Sequence, residues 1–356
     1  MQSVKNFLTQ FIYCIKEYFP GAKMKKLVIC CLFILSVTIN NAMAQNMVQE
    51  ESYLKNDLIY TGLPDYPPFS YFEELPKRVI YKSAFLKPLE DIATQYGFKL
   101  KSNNYWNIPD IHKIILDVRS GEIQMFISAY SNTKLFTGLE LIYPASVSNP
   151  IHIITLPDGQ KKIKTSADLK NLRGVVSKTE YLSDFVLRKL NELNIKYVDS
   201  PYEAYEQLFT DEADYILGSL YYNRIMASKY GIEQYLAYSK KPLFKIPVFI
   251  ALSKITPMQS LYNKAFHDEF NKDKFGNDVK KEILRMVEEE ISKKVMSAVT
   301  DPNRIKKDDL GNPDVCMVAY YHNLFTDKEE CAKICEECRQ GKRGCVACKK
   351  ELTKNI

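Results

Sequence analysis

Two hydrophobic periodicities alternate along most of this chain. Short runs of β-branched and aromatic residues are separated by segments whose apolar residues recur every three or four positions. This pattern is typical of β-strands joined by amphipathic helices. Over roughly residues 57–290 it predicts an α/β fold, with parallel strands covered by crossover helices. The predicted strands cover 58–63, 123–128, 151–156, 174–177, 196–198, 215–217 and 247–252.

The helices predicted between these strands have recognisable ends. Segments 84–96 and 111–119 each stop within two residues of a glycine, which accepts the left-handed conformation that commonly ends a helix. Ser200 followed by Pro201 predicts an N-cap and first turn for a helix over 202–209. The middle of the chain therefore predicts regular alternation of strand and helix.

The N-terminal region has the order of an export signal. Two lysines precede an apolar run over 27–39, and a small-x-small cleavage site follows at 42–44. We expect a mature chain that begins at Gln45. The alternative is an uncleaved membrane anchor, for which the apolar run is short. Residues 1–23 precede a second methionine and are interpreted as an upstream extension or, alternatively, as an interfacial helix.

The composition is typical of soluble globular proteins. Hydrophobic residues make up 46% of the chain, and the net charge of +6 is not concentrated in a long basic run. Charge alone therefore favours neither a nucleic acid nor an anionic membrane as partner. The length remaining after the predicted signal, about 310 residues, is enough for two lobes and a small appendage.

Cysteine is distributed unevenly. The part between the predicted signal and Cys316 has none, whereas six cysteines lie in the last part of the chain. Cys316, Cys338, Cys345 and Cys348 have a spacing that suits a soft metal, because clustered thiolates repel one another until a cation neutralises them. Cys335 in place of Cys316 gives a tetrahedral zinc candidate. Unligated reduced thiols are the third possibility, and disulfides would form if the whole chain is exported.

The motif Asp65-Tyr66-Pro67-Pro68-Phe69-Ser70-Tyr71 follows the first predicted strand. It resembles the opening signature of the extracellular solute-binding proteins of family 3, the periplasmic receptors of amino-acid uptake. Weaker similarities extend it over roughly residues 57–290: a helix at 85–96, a helix, strand and serine over 111–130, Tyr143-Pro144, Asp168-Leu169 with 172–179, and 213–217.

That resemblance implies a two-lobed periplasmic-binding-protein-like fold of type II, in which the lobes close on a ligand. Lobe 1 would comprise residues 57–149 plus 248–290, and lobe 2 residues 150–247. The chain would cross between them near 149–153 and 245–248. The function it implies is capture of a small polar, amino-acid-like solute by a periplasmic monomer that serves the permease of a membrane ABC transporter.

The resemblance also places the ligand on loops at the carboxyl ends of strands. Tyr66 or Phe69 would offer an apolar face, and Ser128, Tyr130 and Ser131 would donate hydrogen bonds. For the first loop, simple packing by Pro-Pro-Phe is the alternative. The expected binding set is Asp65, Tyr66, Phe69, Tyr71, Ser128, Tyr130, Ser131, Lys134, Thr179, Glu180 and Ser219.

Two departures from the family pattern leave the solute open. The family presents an arginine that grips the ligand carboxylate in a fork, whereas this chain has Lys134, a point charge. The family's acidic group for the ligand ammonium aligns with Ser219, and Glu180 is only nearby. A different small polar or aromatic solute is therefore possible. The many tyrosines, including Tyr221 and Tyr222, line a cleft or coat helices, and we favour the second interpretation.

The C-terminal region resembles a different family. Segments 293–304, 311–316 and 344–350 are similar to the C-terminal part of bacterial tryptophanyl-tRNA synthetase, over about residues 291–356. Some members carry an iron–sulfur cluster there on four cysteines. Cys316, Cys338, Cys345 and Cys348 match that pattern with one residue fewer in the first gap, which favours a 4Fe-4S cluster over zinc.

The region that would catalyse aminoacylation is not recognisable in this chain. Neither a His-x-Gly-His-like motif nor the lysine loop occurs, so the resemblance implies at most contact with tRNA. The alternative function is therefore a synthetase-related fragment or gene fusion that binds tRNA. A periplasmic enzyme of dehydratase type is a third possibility, but the sequence shows no paired carboxylates or cysteine–histidine set in its support.

Overall fold

The computed structural model describes residues 57–356 except 77, 104, 106, 132–133, 160–162, 164–165 and 258. The predicted export signal and the segment before it lie outside the described residues. In the described part, no helix is both long and apolar enough to cross a bilayer.

Strands and helices alternate as the hydrophobic pattern predicts. The strands are β1 (Asp57–Gly62), β2 (Asp65–Tyr66), β3 (Ser70–Leu75), β4 (Arg78–Lys82), β5 (Lys99–Ser102), β6 (Met125–Tyr130), β7 (Leu139–Leu141), β8 (Val147–Thr155), β9 (Gly174–Ser177), β10 (Ile195–Val198), β11 (Tyr215–Ser219), β12 (Ala237–Tyr238) and β13 (Phe244–Ser253). The α-helices are α1 (Leu86–Tyr96), α2 (Ile111–Arg119), α3 (Asp184–Leu190), α4 (Pro201–Phe209), α5 (Leu220–Tyr230), α6 (Gln259–Phe270), α7 (Asp273–Ser297), α8 (Met317–Phe325), α9 (Lys328–Arg339) and α10 (Cys345–Asn355).

The strands form one ten-stranded sheet and a small three-stranded one. The large sheet has the order β10-β9-β11-β8-β13-β6-β1-β5, with β12 on β8 and β7 on β13, and the small sheet is β2-β3-β4. β9 runs parallel to β10 and to β11, and β1 runs parallel to β6. The predicted α/β class is confirmed.

Two long strands, β8 and β13, join the halves of the large sheet. They pair antiparallel with each other from Val147 opposite Val248 to Ile151 opposite Phe244. Beyond that stretch β8 pairs with β11, and β13 pairs with β6. We call the half with β1, β5 and β6 lobe 1 and the half with β9, β10 and β11 lobe 2. The predicted crossings fall on β8 and β13, while the lobe boundaries given from the sequence stay a prediction.

The 25-residue helix α7 connects two hydrophobic cores. Its residues Phe275, Val279 and Ile283 belong to the main core, which includes both lobes. Its later residues Val287, Ile291 and Val295 pack in a second cluster with Ile225 of α5, Val318 of α8 and Leu352 of α10. The predicted start of the C-terminal region, residue 291, lies inside this helix, and that boundary also stays a prediction.

Candidate functional site

The side chains of Tyr66 and Glu180 meet between the lobes. Tyr66 lies on β2, just beyond the carboxyl end of β1, and Glu180 lies just beyond the carboxyl end of β9. The Tyr66 hydroxyl donates a hydrogen bond of 2.6 Å to Glu180 Oε2. Carboxyl ends of strands are where α/β sheets bind ligands, so this contact marks the candidate site.

A closed ring of hydrogen bonds surrounds this contact. Glu180 Oε1 accepts from the Ser219 backbone N–H at 3.1 Å and from Asn223 Nδ2 at 2.6 Å. Ser219 Oγ donates to Asn149 Oδ1 at 2.7 Å, and Asn149 Nδ2 donates to the Tyr66 hydroxyl at 3.0 Å. We call these five residues the Glu180 network. It draws on lobe 1, lobe 2 and the crossing strand β8.

Aromatic rings pack around Tyr66. Its ring centroid lies 4.6 Å from that of Tyr222, 5.1 Å from Tyr181 in an edge contact, and 5.8 Å from Phe69 in a stacked one. Tyr130 stacks on Tyr181 with centroids 6.4 Å apart. We call these five residues the aromatic cluster. All are buried except Tyr181, which is half-buried.

Burial and nearby carboxylates raise the pKa values of two residues at this site. Burial raises the pKa of Glu180 to about 7, although hydrogen bonds from Tyr66, Ser219 and Asn223 favour its ionised form. Burial, followed by the charges of Asp65 and Asp110, raises the pKa of Tyr181 to about 12.

Six residues of the predicted binding set come together here. They are Tyr66, Phe69, Tyr130, Thr179, Glu180 and Ser219, with Thr179 joining through its hydroxyl, 3.2 Å from that of Tyr222. Asp65 is exposed at the rim, where its charge acts on Tyr181 and Tyr222.

The other predicted residues lie differently. Ser128 is buried and donates to the Phe69 carbonyl at 3.0 Å, so it holds the first loop in place. Tyr71 is half-buried, and burial followed by the charge of Glu73 raises its pKa to about 12. Ser131 is half-buried in a turn. Lys134 is exposed in a 3-10 helix over Lys134–Phe136.

Sequence reasoning missed several site residues. Asn149, Asn223 and Tyr181 were not predicted, and the interpretation that Tyr222 coats a helix is wrong, since this side chain is 1% exposed in the aromatic cluster. The sequence did contain a signal for Tyr222. This residue lies three positions after Ser219, the N-cap of α5. The first turn of α5 therefore begins at the end of β11, which carries the site.

Solved structures with this architecture cover most of the described chain. An amino acid ABC transporter substrate-binding protein from Streptococcus pneumoniae, bound to L-arginine, aligns with a TM-score of 0.50 and 16% identity over 68% of this chain and 99% of its own. A binding component of an ABC transporter from Wolinella succinogenes, complexed with lysine, gives a TM-score of 0.51 and 16% identity over 65% and 96%.

The fold is that of the two-lobed periplasmic binding proteins. The periplasmic VFT2 domain of BvgS from Bordetella pertussis also aligns, with a TM-score of 0.51 and 14% identity over 67% of this chain and 96% of that domain. No protein-family model matches the chain. At these identities the likeness concerns the fold.

Curated relatives match a short part of the sequence. The chain is 51% identical over 69 residues to the tryptophan–tRNA ligase of Aquifex aeolicus, and 40% identical over 83 residues to that of Thermotoga maritima. These matches cover 19% and 23% of this chain, and 18% and 24% of the ligases. The resemblance to this family is thus confirmed, and the chain spans about a fifth of the ligases' length.

The four predicted metal-binding cysteines lie in or next to the C-terminal helices, where the charges of three of them act on Cys348. Burial, and then the charges of Cys316, Cys338 and Cys345, raise the pKa of Cys348 to about 12, while Arg343 lowers it. Arg304 Nη1 lies 3.4 Å from Cys338 Sγ.

Four thiols whose charges interact beside arginine suit a soft, thiolate-bound group. As placed, no group of three or more His, Cys, Asp or Glu side chains among the described residues is arranged to hold a metal ion. The metal site therefore stays a prediction.

Proposed function

We propose that this protein binds a small solute between its two lobes and delivers it to a membrane transporter. The observation that carries the proposal is the Glu180 network. It brings together the buried carboxylate of Glu180 beyond β9, Ser219 at the end of β11, the Asn149 amide on the crossing strand β8 and the Tyr66 phenol on β2. A convergent polar group in a mostly aromatic surrounding is the composition of a small-molecule site.

Lobe closure would supply the trapping step. Tyr66 belongs to lobe 1, Glu180 and Ser219 belong to lobe 2, and Asn149 lies on β8. A network drawn from these elements is complete only while the lobes are together. A ligand that contacts both lobes shifts the equilibrium toward this closed state in proportion to its preference for it.

The transporter and the compartment complete the proposal. Two of the aligned structures are binding components of ABC transporters, with arginine and with lysine bound. By that likeness, this chain passes its solute to an ABC permease, and we expect it to act in the periplasm as a monomer. The signal predicted at 24–44 supports the same location.

Screening for ligands with the purified full chain tests this function. A true ligand at a hundredfold excess over its dissociation constant stabilises the native state by about 2.7 kcal/mol, which is measured as a rise in Tm. The panel comprises amino acids, amines, sugars and small organic acids. If no compound raises Tm, the solute-binding proposal is wrong.

The C-terminal helices support a second, separate proposal. The similarity of the chain to tryptophan–tRNA ligases and the effect of the charges of three of these cysteines on the fourth support a 4Fe-4S cluster, or zinc, on Cys316, Cys338, Cys345 and Cys348. Such a group would crosslink the ends of α8, α9 and α10. Contact with tRNA is the alternative function of this region, and a filter-binding measurement that detects no tRNA would exclude it.

A further inference from the structure

We infer that the cleft selects an organic ammonium ion that has no carboxylate, with Glu180 as its counter-ion and the aromatic cluster as its cage. This inference rests on the proposed solute-binding function and names the class of solute.

Neutral hydrogen-bond donors surround the carboxylate of Glu180. The side chain is buried, and its three hydrogen-bond donors, Tyr66, Ser219 and Asn223, are all neutral. A buried carboxylate without a cation is costly, and a paired one is much less so. A carboxylate offers about four acceptor positions, of which these donors use three. A ligand ammonium can take the fourth and also supply the missing positive charge.

The rings of the aromatic cluster lie beside Glu180. The faces of tyrosine and phenylalanine attract cations, most strongly where water is excluded. The ring centroid of Tyr66, whose hydroxyl donates to Glu180, lies 4.6 Å from that of Tyr222 and 5.1 Å from that of Tyr181. At the rim, Asp65 and Asp110 add negative charge. All of these features favour a cation with an apolar body.

The ligand that suits this site has no carboxylate. A bound amino acid would bring its carboxylate into the same buried site, and an unpaired buried charge is strongly unfavourable. Lys134, the predicted partner for that carboxylate, is exposed. The groups that donate hydrogen bonds to Glu180, on Tyr66, Ser219 and Asn223, are not basic. An amine without a carboxylate avoids the penalty.

Pairs of compounds that differ only in the carboxylate test the inference. Tyramine is compared with tyrosine, putrescine with ornithine, and agmatine with arginine, by titration calorimetry on the full chain. We expect at least one amine to bind about tenfold or more tightly than its amino acid, a difference of about 1.4 kcal/mol. If the amino acids bind as well as the amines or better, the inference is overturned and the solute-binding function stands. If neither these compounds nor the wider panel binds, the function itself is wrong.

Variants locate the counter-ion. Glu180→Gln keeps an acceptor for Ser219 and Asn223 but removes the charge, and we expect it to weaken amine binding about a hundredfold. Glu206→Gln, the same change at an exposed residue of α4, is the matched control and should bind amines unchanged. Should Glu180→Gln fail to fold, Asp65→Asn at the exposed rim is expected to weaken amines about twofold and to leave neutral compounds unaffected. Unchanged amine affinity in a folded Glu180→Gln protein would overturn the inference.

Discussion

The Tyr66 hydroxyl and Glu180 Oε2 lie 2.6 Å apart, although the two residues are separated by 114 positions in the chain. Their contact joins β2, which follows β1, to the turn that follows β9. Asn149 and Ser219 close the remaining side of the ring. The lobes are thus held together by buried polar groups that bond to one another, and the loss of one member leaves each of its former partners with one hydrogen bond fewer.

Tyr66→Phe tests how much the contact between Tyr66 and Glu180 stabilises the folded protein. The ring stays in the aromatic cluster, while Glu180 Oε2 and Asn149 Nδ2 each lose a partner. We expect a loss of about 1–3 kcal/mol of unfolding free energy, because a buried polar group left unpaired has lost its hydration without gaining a hydrogen bond. The measurement is chemical denaturation of the full chain.

The matched control is Tyr71→Phe in the same motif, where the ring is half-buried and the loss should be small. Equal losses in the two variants would show that the network contributes nothing specific.

Glu180 should make the unliganded protein less stable as the pH rises. Its pKa is about 7 in the folded state against an ordinary value of 4.5, so the folded state binds the proton more tightly than the unfolded chain. The stability from this group is fully present below pH 4.5 and is lost as the pH rises through 7. The full effect is about 3 kcal/mol.

Tm measured from pH 5 to pH 8 tests this effect by comparison with Glu180→Gln. The partly buried His152, whose pKa is lowered by burial, acts in the opposite direction in both proteins, so only the difference between them reports Glu180. A difference that does not change with pH would contradict the assignment.

Leu352→Ala should detach the C-terminal helices. Leu352 is fully buried against α7 and α5 in the second core, and removing such a side chain costs about 2–5 kcal/mol. We expect faster hydrogen exchange in α8, α9 and α10, with β1 and β9 unaffected. Val346→Ala on the same helix, where the side chain is 57% exposed, is the control and should leave exchange unchanged.

Cys338→Ser tests the metal site. If the protein purified without oxygen contains iron or zinc, this variant should lose it, because one of four soft ligands is gone. Cys331→Ser is the control, since Cys331 is buried and donates to Asn323 Oδ1 at 3.2 Å. Metal analysis by mass spectrometry measures both. Equal metal content in the two variants, or none in the unsubstituted protein, would refute the site.

Local chemistry allowed much of the fold to be predicted from the sequence. β9 and α2 have the bounds predicted from the sequence. The β-branched run of β9 indicates a strand, and the single apolar face of α2 indicates a helix. The hairpin β3–β4 was not predicted. Its strands are short and carry charged residues such as Glu73 and Glu74, so the alternating pattern is weak there.

The candidate site was predicted less completely, since its members meet only after folding. Glu180 lies far in sequence from Ser219, yet its carboxylate accepts a hydrogen bond from the Ser219 N–H. No local pattern reports such a meeting. Tyr222 shows the same difficulty, because a tyrosine in a helix has the same local sequence signal whether it faces a cleft or solvent.

The spacing of the buried residues of α7 allows this one helix to pack against two cores. From Phe275 to Val295 these residues recur at every fourth position, and four residues advance an α-helix by about 400°, or 40° beyond one full turn. The apolar stripe therefore winds slowly around the helix, and its two ends face nearly opposite directions. One helix can in this way serve two cores on different sides. Inserting a single residue after Ile283 would rotate everything that follows by about 100° and turn Ile291 away from Ile225.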